Sequence, residues 1–173
     1  MFKNYPTYYP LIITVISLLL LTTEALAQLQ PEAPPRPIKV YARPLQGLMF
    51  GAFYQGQAGG TIKVDAYGSR SVTGDIIQMN LGKPFSPAIF DVDANPGTLV
   101  NILNGPDVIL TGSNGGTIKL HLEESDKGSP FIATAIPPSF TELRIGGTLI
   151  IGPPAANPPG EYSGTFSVIF NNE

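Results

Sequence analysis

Asp91, Asp93 and Asn95 form the first of several residue groups in this 173-residue chain whose side chains could do chemistry. Their D-x-D-x-N spacing is that of the start of a calcium-binding loop, where oxygen ligands surround a hard cation. Such a loop requires Gly at its sixth position and a bidentate Glu at its twelfth, where this chain has Pro96 and Ile102. The spacing therefore excludes an EF-hand. The acids also alternate with apolar residues, so we predict an ordinary strand, with a weak surface calcium site as the minor alternative.

The single histidine and a nearby acidic cluster form the second group. His121 lies between Lys119 and Glu123 on the polar face of a predicted strand, and no G-x-S-x-G motif supplies a nucleophile for it. Glu124 and Asp126 follow beside a glycine turn, which favours a solvated loop over the paired carboxylates of a glycosidase. The sequence therefore predicts no catalytic, cofactor-binding or metal-binding residue. We expect a protein that is not an enzyme and that has no cofactor.

The N-terminus predicts export. Lys3 precedes the apolar run Leu11 to Leu21, and an A-x-A pattern ends just before Gln28. The run is shorter than the ~20 apolar residues that span a bilayer, so residues 1–27 are predicted to be a signal peptide. We expect a secreted protein in the periplasm, at the cell surface or outside the cell, with no membrane insertion after cleavage. It has no cysteine, so no disulfide or zinc-thiolate site can form.

The remaining residues 28–173 predict one β domain behind a short tail. Residues 28–37 contain four prolines and are expected to form a flexible Pro-rich tail. In residues 38–173, glycine and proline separate short runs with a period of two, and no window shows helical spacing. We therefore predict an all-β fold, an Ig-like antiparallel β-sandwich of about eight to ten short strands. Residues 28–173 have 9 basic and 12 acidic residues, which argues against nucleic acid as a partner.

A recurring Gly-Gly-Thr segment marks three places in the predicted sheet. It occurs at residues 59–61, 115–117 and 146–148. Glycine tolerates positive φ and the following β-branched residues favour a strand, so Gly59-Gly60 and Gly115-Gly116 are each predicted to be a turn before a strand. The third copy falls within a predicted strand over residues 143–151. The intervals differ, so the repeat does not predict a solenoid or propeller.

Exposed aromatic residues are the first candidate binding groups. Tyr41 and Tyr67 fall on predicted outward faces, and Tyr54 lies in a predicted glycine-rich loop. Such rings could stack on sugars, so a glycan is a candidate partner. Packing against a neighbouring strand is the alternative interpretation for each of them.

The two terminal strands are the second set of candidates. Each has alternating apolar residues that could pair within the chain's own sheet or add to a sheet of a neighbouring subunit. The partner-strand candidates are Ile38, Val40 and Ala42 at the N-terminal end and Tyr162, Phe166, Val168 and Phe170 at the C-terminal end.

Several segments together resemble a known family. They are residues 43–45, 50–51, 59–64, 86–92, 146–149 and 159–168. They resemble a bacterial secreted family, domain of unknown function 4402, which looks distantly similar to spore-coat-protein-U-like and fimbrial subunits. That similarity implies an Ig-like sandwich assembled by strand donation, and it implies no catalytic residues. Gly160 fits the ending of such pilins, whereas Asn172 replaces their usual Tyr and the pilin disulfide is absent.

From these observations we expect an exported structural or adhesin-like, fimbrial-type subunit that acts through β-strand complementation. Its partner would be a protein, either a second copy or another subunit. The alternative is a secreted glycan- or ligand-binding β-sandwich module without catalysis.

Overall fold

The computed structural model describes residues 36–172, and all their regular structure is β-strand. The strands are β1 (Lys39–Ala42), β2 (Met49–Phe50), β3 (Ala52–Val64), β4 (Arg70–Met79), β5 (Phe85–Ser86), β6 (Ala88–Asp93), β7 (Leu99–Asn104), β8 (Val108–Gly112), β9 (Thr117–Ser125), β10 (Phe131–Ile132), β11 (Thr141–Ile151), β12 (Tyr162–Ser163) and β13 (Val168–Asn172). Nine of them have four or more residues. The predicted signal peptide and residues 28–35 of the predicted tail lie outside the described residues. Across residues 36–172 no helix is long and apolar enough to cross a membrane.

The largest sheet is built around β11. Its order is β1-β6-β11-β9-β8-β12, and the β3–β4 hairpin attaches to β11 beside β6. Residues 141–145 of β11 pair with β6, residues 147–151 pair with β3, and residues 145–150 pair with β9. Every pairing is antiparallel.

Two smaller sheets form the second layer. The first has three strands in the order β10-β7-β13, and the second is the two-residue pair β2–β5. Both are antiparallel as well. The fold is therefore an all-β, sandwich-like arrangement of many short strands, as the sequence predicts.

Two clusters of buried apolar side chains fill the interior. One joins the large sheet to the three-stranded sheet and includes Leu143 and Ile145 from β11 with Val100 from β7, all essentially without solvent exposure. The other covers the β3, β4, β8 and β9 region and includes Ile62 and Ile118. Apolar residues that alternate along the chain are buried, namely Ile62, Val64, Ala66, Ala88, Phe90, Val92, Ile118, Leu120 and Leu122.

The recurring Gly-Gly segment has two structural roles, so the turn prediction is wrong at Gly59–Gly60, whereas residues 146–147 lie inside a strand as predicted. Gly115 and Gly116 do form the turn between β8 and β9, where Gly112 N–H donates to the Gly116 carbonyl over 3.1 Å. Gly59–Gly60 lies inside β3, and 146–147 lies inside β11, each where the register with a neighbouring strand shifts. A Cβ on Gly60 would lie 2.1 Å from the Thr73 carbonyl oxygen. Glycine is needed there because two backbones approach closely within the sheet.

The predicted last strand is two strands in different layers. Tyr162–Ser163 pairs with β8 of the large sheet, whereas Val168–Asn172 pairs with β7 of the three-stranded sheet. The intervening residues 164–167 connect the two layers, and Gly105 N–H donates to the Ser167 carbonyl over 2.9 Å. The predicted alternation survives this break, since Phe166 is half-buried and both of its neighbours in the chain are exposed.

Candidate functional site

The N-terminal strand β1 lies at an edge of the large sheet. Within residues 36–172 it pairs with β6 alone, in the register Val40 opposite Val92. Ile38 and Val40 are half-buried and pack against the cluster between the two layers. Ala42 is exposed, so the partial burial of Ile38 and Val40 does not continue to the end of β1. It ends the strand beside an opening of about 150 Å³, which its small side chain does not close.

The arginines that precede and follow β1 in the chain bind carboxylates of β6. Arg36 donates to Asp93 over 2.8 Å, and Arg43 donates two hydrogen bonds to Asp91 over 2.8 and 2.6 Å. Arg43 also lies 2.9 Å from Glu142 of β11. The hydrogen bonds from Arg43 hold the pKa of Asp91 below its ordinary value. The two aspartates of the D-x-D motif are therefore arginine partners on the outer face of a strand.

The C-terminal strand β13 lies at an edge of the three-stranded sheet. Among the described strands it pairs with β7 alone. The Phe170 ring packs against Phe90 of the large sheet with centroids 5.5 Å apart. Phe166 and Val168 contact both interior clusters. These C-terminal candidates are half-buried anchors between the layers.

Tyr162 anchors the start of the same segment. It is half-buried, and its hydroxyl donates to the Pro158 carbonyl over 2.6 Å. Burial raises the pKa of this phenol above its ordinary value. Tyr162 therefore holds β12 against the proline-rich loop that precedes it.

The three candidate tyrosines lie at separate places. Tyr41 is exposed on β1, and its ring packs edge-on against Phe140 with centroids 5.7 Å apart. Tyr54 lies in β3, where the sequence predicted a loop, and Tyr67 is exposed in the turn after β3. Of the three, Tyr54 lines the cleft described next, and the other two are not part of its lining.

An apolar cleft of about 970 Å³ opens over the second interior cluster. One wall is residues 48–55 and the other is residues 158–164, and the floor is formed by inward side chains of the large sheet. At the rim, Lys83 and Glu161 form an exposed ion pair at 3.3 Å. This cleft could not be predicted from the sequence, because its walls come from segments about a hundred residues apart.

The histidine predicted to lack a catalytic role and the neighbouring Glu123 lie on β9 of the large sheet, whereas Asp126 of the acidic cluster lies in the turn after β9. His121 Nδ1 is 2.7 Å from Asp107, and this contact lowers the pKa of Asp107. Burial alone would raise the pKa of Glu123, but hydrogen bonds from Thr148 (2.6 Å) and Lys63 (3.0 Å) outweigh it and lower that pKa. In the described part of the chain, no three such residues are grouped so that they could hold a metal ion.

The outer face of the three-stranded sheet is a further feature that the sequence analysis missed. We call it the uncharged face, and it is formed by Leu99, Asn101 and Leu103 of β7, Ile132 of β10, and Ile169 and Asn171 of β13. Ile132 lies opposite Leu99, and Ile169 lies opposite Leu103. The strands β7, β10 and β13 contain no charged residue. Alternation along β7 and β13 could have indicated this face, but only the pairing register brings its members together.

Comparison with known proteins finds one match. The family described as "Domain of unknown function (DUF4402)" matches residues 40–171, which span nearly all of the described β domain. No curated protein and no solved structure matches the chain. The match confirms the family predicted from the sequence, whereas the distant similarity to spore-coat-protein-U-like and fimbrial subunits stays an expectation. The chain belongs to the DUF4402 family.

Proposed function

We propose that this protein is an exported structural or adhesin-like subunit that assembles through β-strand pairing with a neighbouring subunit. The observation that supports this most directly is the placement of the two terminal strands. β1 and β13 lie at edges of different sheets, and each pairs with one neighbour among the described strands. The free side of an edge strand offers main-chain donors and acceptors to a partner strand.

Of the two, β13 is the better candidate for pairing outside the domain. Edge strands that must stay unpaired usually carry charges, prolines or bulges. β1 begins with Lys39 and is fixed to its neighbour by Arg36 and Arg43. β13 has the sequence VIFNN, with no charge and no proline, and its register with β7 has no shift. Its free side therefore lacks the usual protection against a partner strand.

The hydrogen-bonding direction of β13 follows from one contact. The Ser167 carbonyl accepts from Gly105 N–H and so points towards β7. Successive residues of a strand direct their main-chain groups to alternate sides. The groups of Val168, Phe170 and Asn172 are therefore directed to the free side, where a partner strand would bind them.

The apolar cleft is the second support. A volume of about 970 Å³ is at the upper end of the range of about 300–1,000 Å³ for binding pockets. It adjoins Phe166, just before β13, so a partner that pairs with this region could place apolar side chains in the cleft. Export is proposed from the predicted signal peptide, and the location would be the periplasm or the cell surface.

Light scattering and electron microscopy of the protein produced without residues 1–27 test the proposal. We expect assemblies larger than a monomer. Asn172→Pro should reduce them without lowering Tm, because it removes a main-chain donor directed away from β7. The control Δ28–35 leaves both edge strands in place and should assemble normally. A protein that is strictly monomeric and forms no fibres, with or without residues 28–44, would contradict strand pairing.

A ligand-binding module is the second candidate function, and the cleft with exposed Tyr54 in its wall favours it. Aromatic side chains in such a cleft can stack on sugar rings or other apolar ligands. A glycan array should then give binding that Tyr54→Ala abolishes. Tyr67→Ala is the matched control, since Tyr67 is exposed but does not line the cleft. Equal loss in both variants would contradict binding in the cleft.

A further inference from the structure

We infer that the outer face of the large sheet around Tyr41 binds an acidic saccharide. The site, which we call the aromatic platform, consists of Tyr41, Phe140 and Lys39 together with the arginine–carboxylate pairs beside them. It is separate from the apolar cleft, whose lining includes none of these residues. The inference goes beyond strand pairing and does not depend on it.

Two aromatic rings form the apolar part of the aromatic platform. Tyr41 and Phe140 are in contact, with ring centroids 5.7 Å apart and an angle of 64° between the ring planes. Despite this contact, 48% of Tyr41 and 47% of Phe140 is exposed. An edge-to-face contact leaves the faces of one ring uncovered by the other ring. The C–H groups on one side of a pyranose pack against such a face, so the rings offer a sugar an apolar surface.

The sheet register brings hydrogen-bonding groups directly beside the rings. Tyr41 is opposite Asp91 of β6, and Asp91 is opposite Glu142 of β11. The neighbours of both acids in their own strands are buried, so the two carboxylates are directed outwards. Arg43 binds both carboxylates, at 2.6 and 2.9 Å. The shared arginine fixes their orientation, and their remaining lone pairs can accept hydrogen bonds from sugar hydroxyls.

Lys39 gives the aromatic platform a positive charge that is not compensated. It lies two residues before Tyr41 on β1, so the two side chains are on the same side of the sheet. Asp93 is opposite Lys39 but is bound by Arg36 at 2.8 Å. Among residues 36–172, the other four lysines each form an ion pair, whereas Lys39 forms none. A carboxylate on the ligand would supply the missing counter-charge.

The three parts of the platform together select an acidic saccharide over other partners. An apolar protein surface would cover the rings, but it would also remove water from the ion pairs and from Lys39 without replacing it. A polyanion would bring negative charge against Asp91 and Glu142, which is unfavourable. A neutral sugar would leave Lys39 unpaired. A sugar ring with one carboxylate matches the apolar, hydrogen-bonding and cationic parts at once.

A glycan array with neutral glycans and with glycans that contain uronic or sialic acid tests the inference on the protein without residues 1–27. We expect binding to acidic glycans. Calorimetric titration with the acidic glycan that binds most strongly then measures the Kd. Tyr41→Ala and Phe140→Ala should each raise the Kd on the order of tenfold, because the sugar loses its stacking surface. Circular dichroism and Tm verify that each variant is folded.

Lys39→Gln tests the charge of the site. It should raise the Kd by up to about fivefold and remove the preference for acidic over neutral glycans, because one exposed ion pair with the ligand is lost. The matched control is Lys83→Gln, since Lys83 is an exposed lysine at the cleft rim. It should leave the Kd unchanged. An equal effect of the two variants would overturn the role of Lys39 and the choice of an acidic ligand.

Tyrosine variants separate the aromatic platform from the cleft. Tyr54→Ala and Tyr67→Ala should leave the Kd unchanged, since both tyrosines are exposed outside the platform. Loss of acidic-glycan binding in Tyr54→Ala but not in Tyr41→Ala would assign the ligand to the cleft and overturn the inference. An array without any bound acidic glycan would also overturn it, whether or not the protein assembles through its edge strands.

Discussion

The two outer faces of the sandwich differ in charge and in regularity. The large sheet carries ion pairs on its outer side, and its pairing has two register shifts where glycines lie. The three-stranded sheet has neither charge nor glycine in its strands, and its pairings are regular. Both sheets bury alternating apolar residues inward, so the interior does not explain the difference. The large sheet therefore presents ion pairs to solvent, whereas the strands of the three-stranded sheet present no charge.

On the outer side of the large sheet, two carboxylates lie opposite each other and share the guanidinium of one arginine. Asp91 and Glu142 are directly opposite on β6 and β11, and like charges in that position repel. Arg43 binds both carboxylates, and Arg144 lies 2.7 Å from Glu142. The large sheet thus uses charge to stabilise its own pairing. The three-stranded sheet has no equivalent in its strands.

The largest loss of unfolding free energy is expected from a substitution in the apolar interior between the large sheet and the three-stranded sheet. Leu143→Ala should lower the free energy of unfolding by about 2 to 5 kcal/mol, because Leu143 is fully buried between the layers. Urea denaturation measures it. A loss below about 1 kcal/mol would mean that the two sheets are not held together by this cluster.

The second-largest loss of unfolding free energy is expected at Gly59, where the pairing of β3 with β4 is irregular. Gly59 and Gly115 occupy the same position in the recurring segment and both have positive φ. A Cβ on Gly59 would lie 2.3 Å from the Ile151 carbonyl oxygen, whereas a Cβ on Gly115 meets nothing within 4 Å. Gly59→Ala should therefore cost about 2 to 4 kcal/mol and Gly115→Ala about 1 kcal/mol. Equal losses of unfolding free energy would remove the distinction between bulge and turn.

A smaller, pH-dependent change in Tm is expected when an ion pair on the large sheet is removed. Hydrogen bonds from Arg43 and Arg144, respectively, hold the pKa values of Asp91 and Glu142 below their ordinary values near 4. Their contribution to stability is present above that pH and is lost as pH falls through the lowered folded-state values. Arg43→Gln should lower Tm at neutral pH, and the difference from wild type should shrink below about pH 4.

The control for that variant is Lys83→Gln. Lys83 and Glu161 form an exposed pair at the cleft rim, and such pairs contribute little to stability. Its Tm should follow the wild type at every pH. A Tm loss at Arg43 that stays constant down to acid pH would mean that packing, and not charge, is responsible.

The smallest effect is expected on the uncharged face. Ile169→Ser should change the monomer's free energy of unfolding by no more than about 0.5 kcal/mol, because the side chain is half in water. Urea denaturation at low protein concentration measures it. A loss comparable to that of Leu143→Ala would show that Ile169 serves the monomer's stability, which would weaken the contrast between the two faces.

Much of the fold could be predicted because a strand's burial pattern is local. Alternation places Ile62 and Val64 inward on β3, and the same holds for Ile118 and Leu120 on β9. The sequence does not show whether Gly59 lies in a turn or in a β-bulge, because both need positive φ. The two differ only in which distant strand lies beside the glycine. In this case the neighbour is β4 on one side and the end of β11 on the other.

The candidate site could be predicted only in part for the same reason. The sequence identified the apolar alternation of the terminal strands, and their placement at sheet edges depends on pairing over long sequence distances. The switch of layers between Ser163 and Val168 was missed, since nothing in the apolar pattern marks it. The cleft and the uncharged face were missed because each is assembled from several separate segments.

The switch of layers has a consequence for the order in which the domain can fold. Residues 162–172 supply the partner of β8 in one layer and of β7 in the other, both more than forty residues upstream. The large sheet lacks β12 until Tyr162–Ser163 is available, and the three-stranded sheet lacks β13 until Val168–Asn172 is available. A partly synthesised chain that lacks this segment would therefore stay open at both layers, and its strand edges would stay accessible until the end of synthesis.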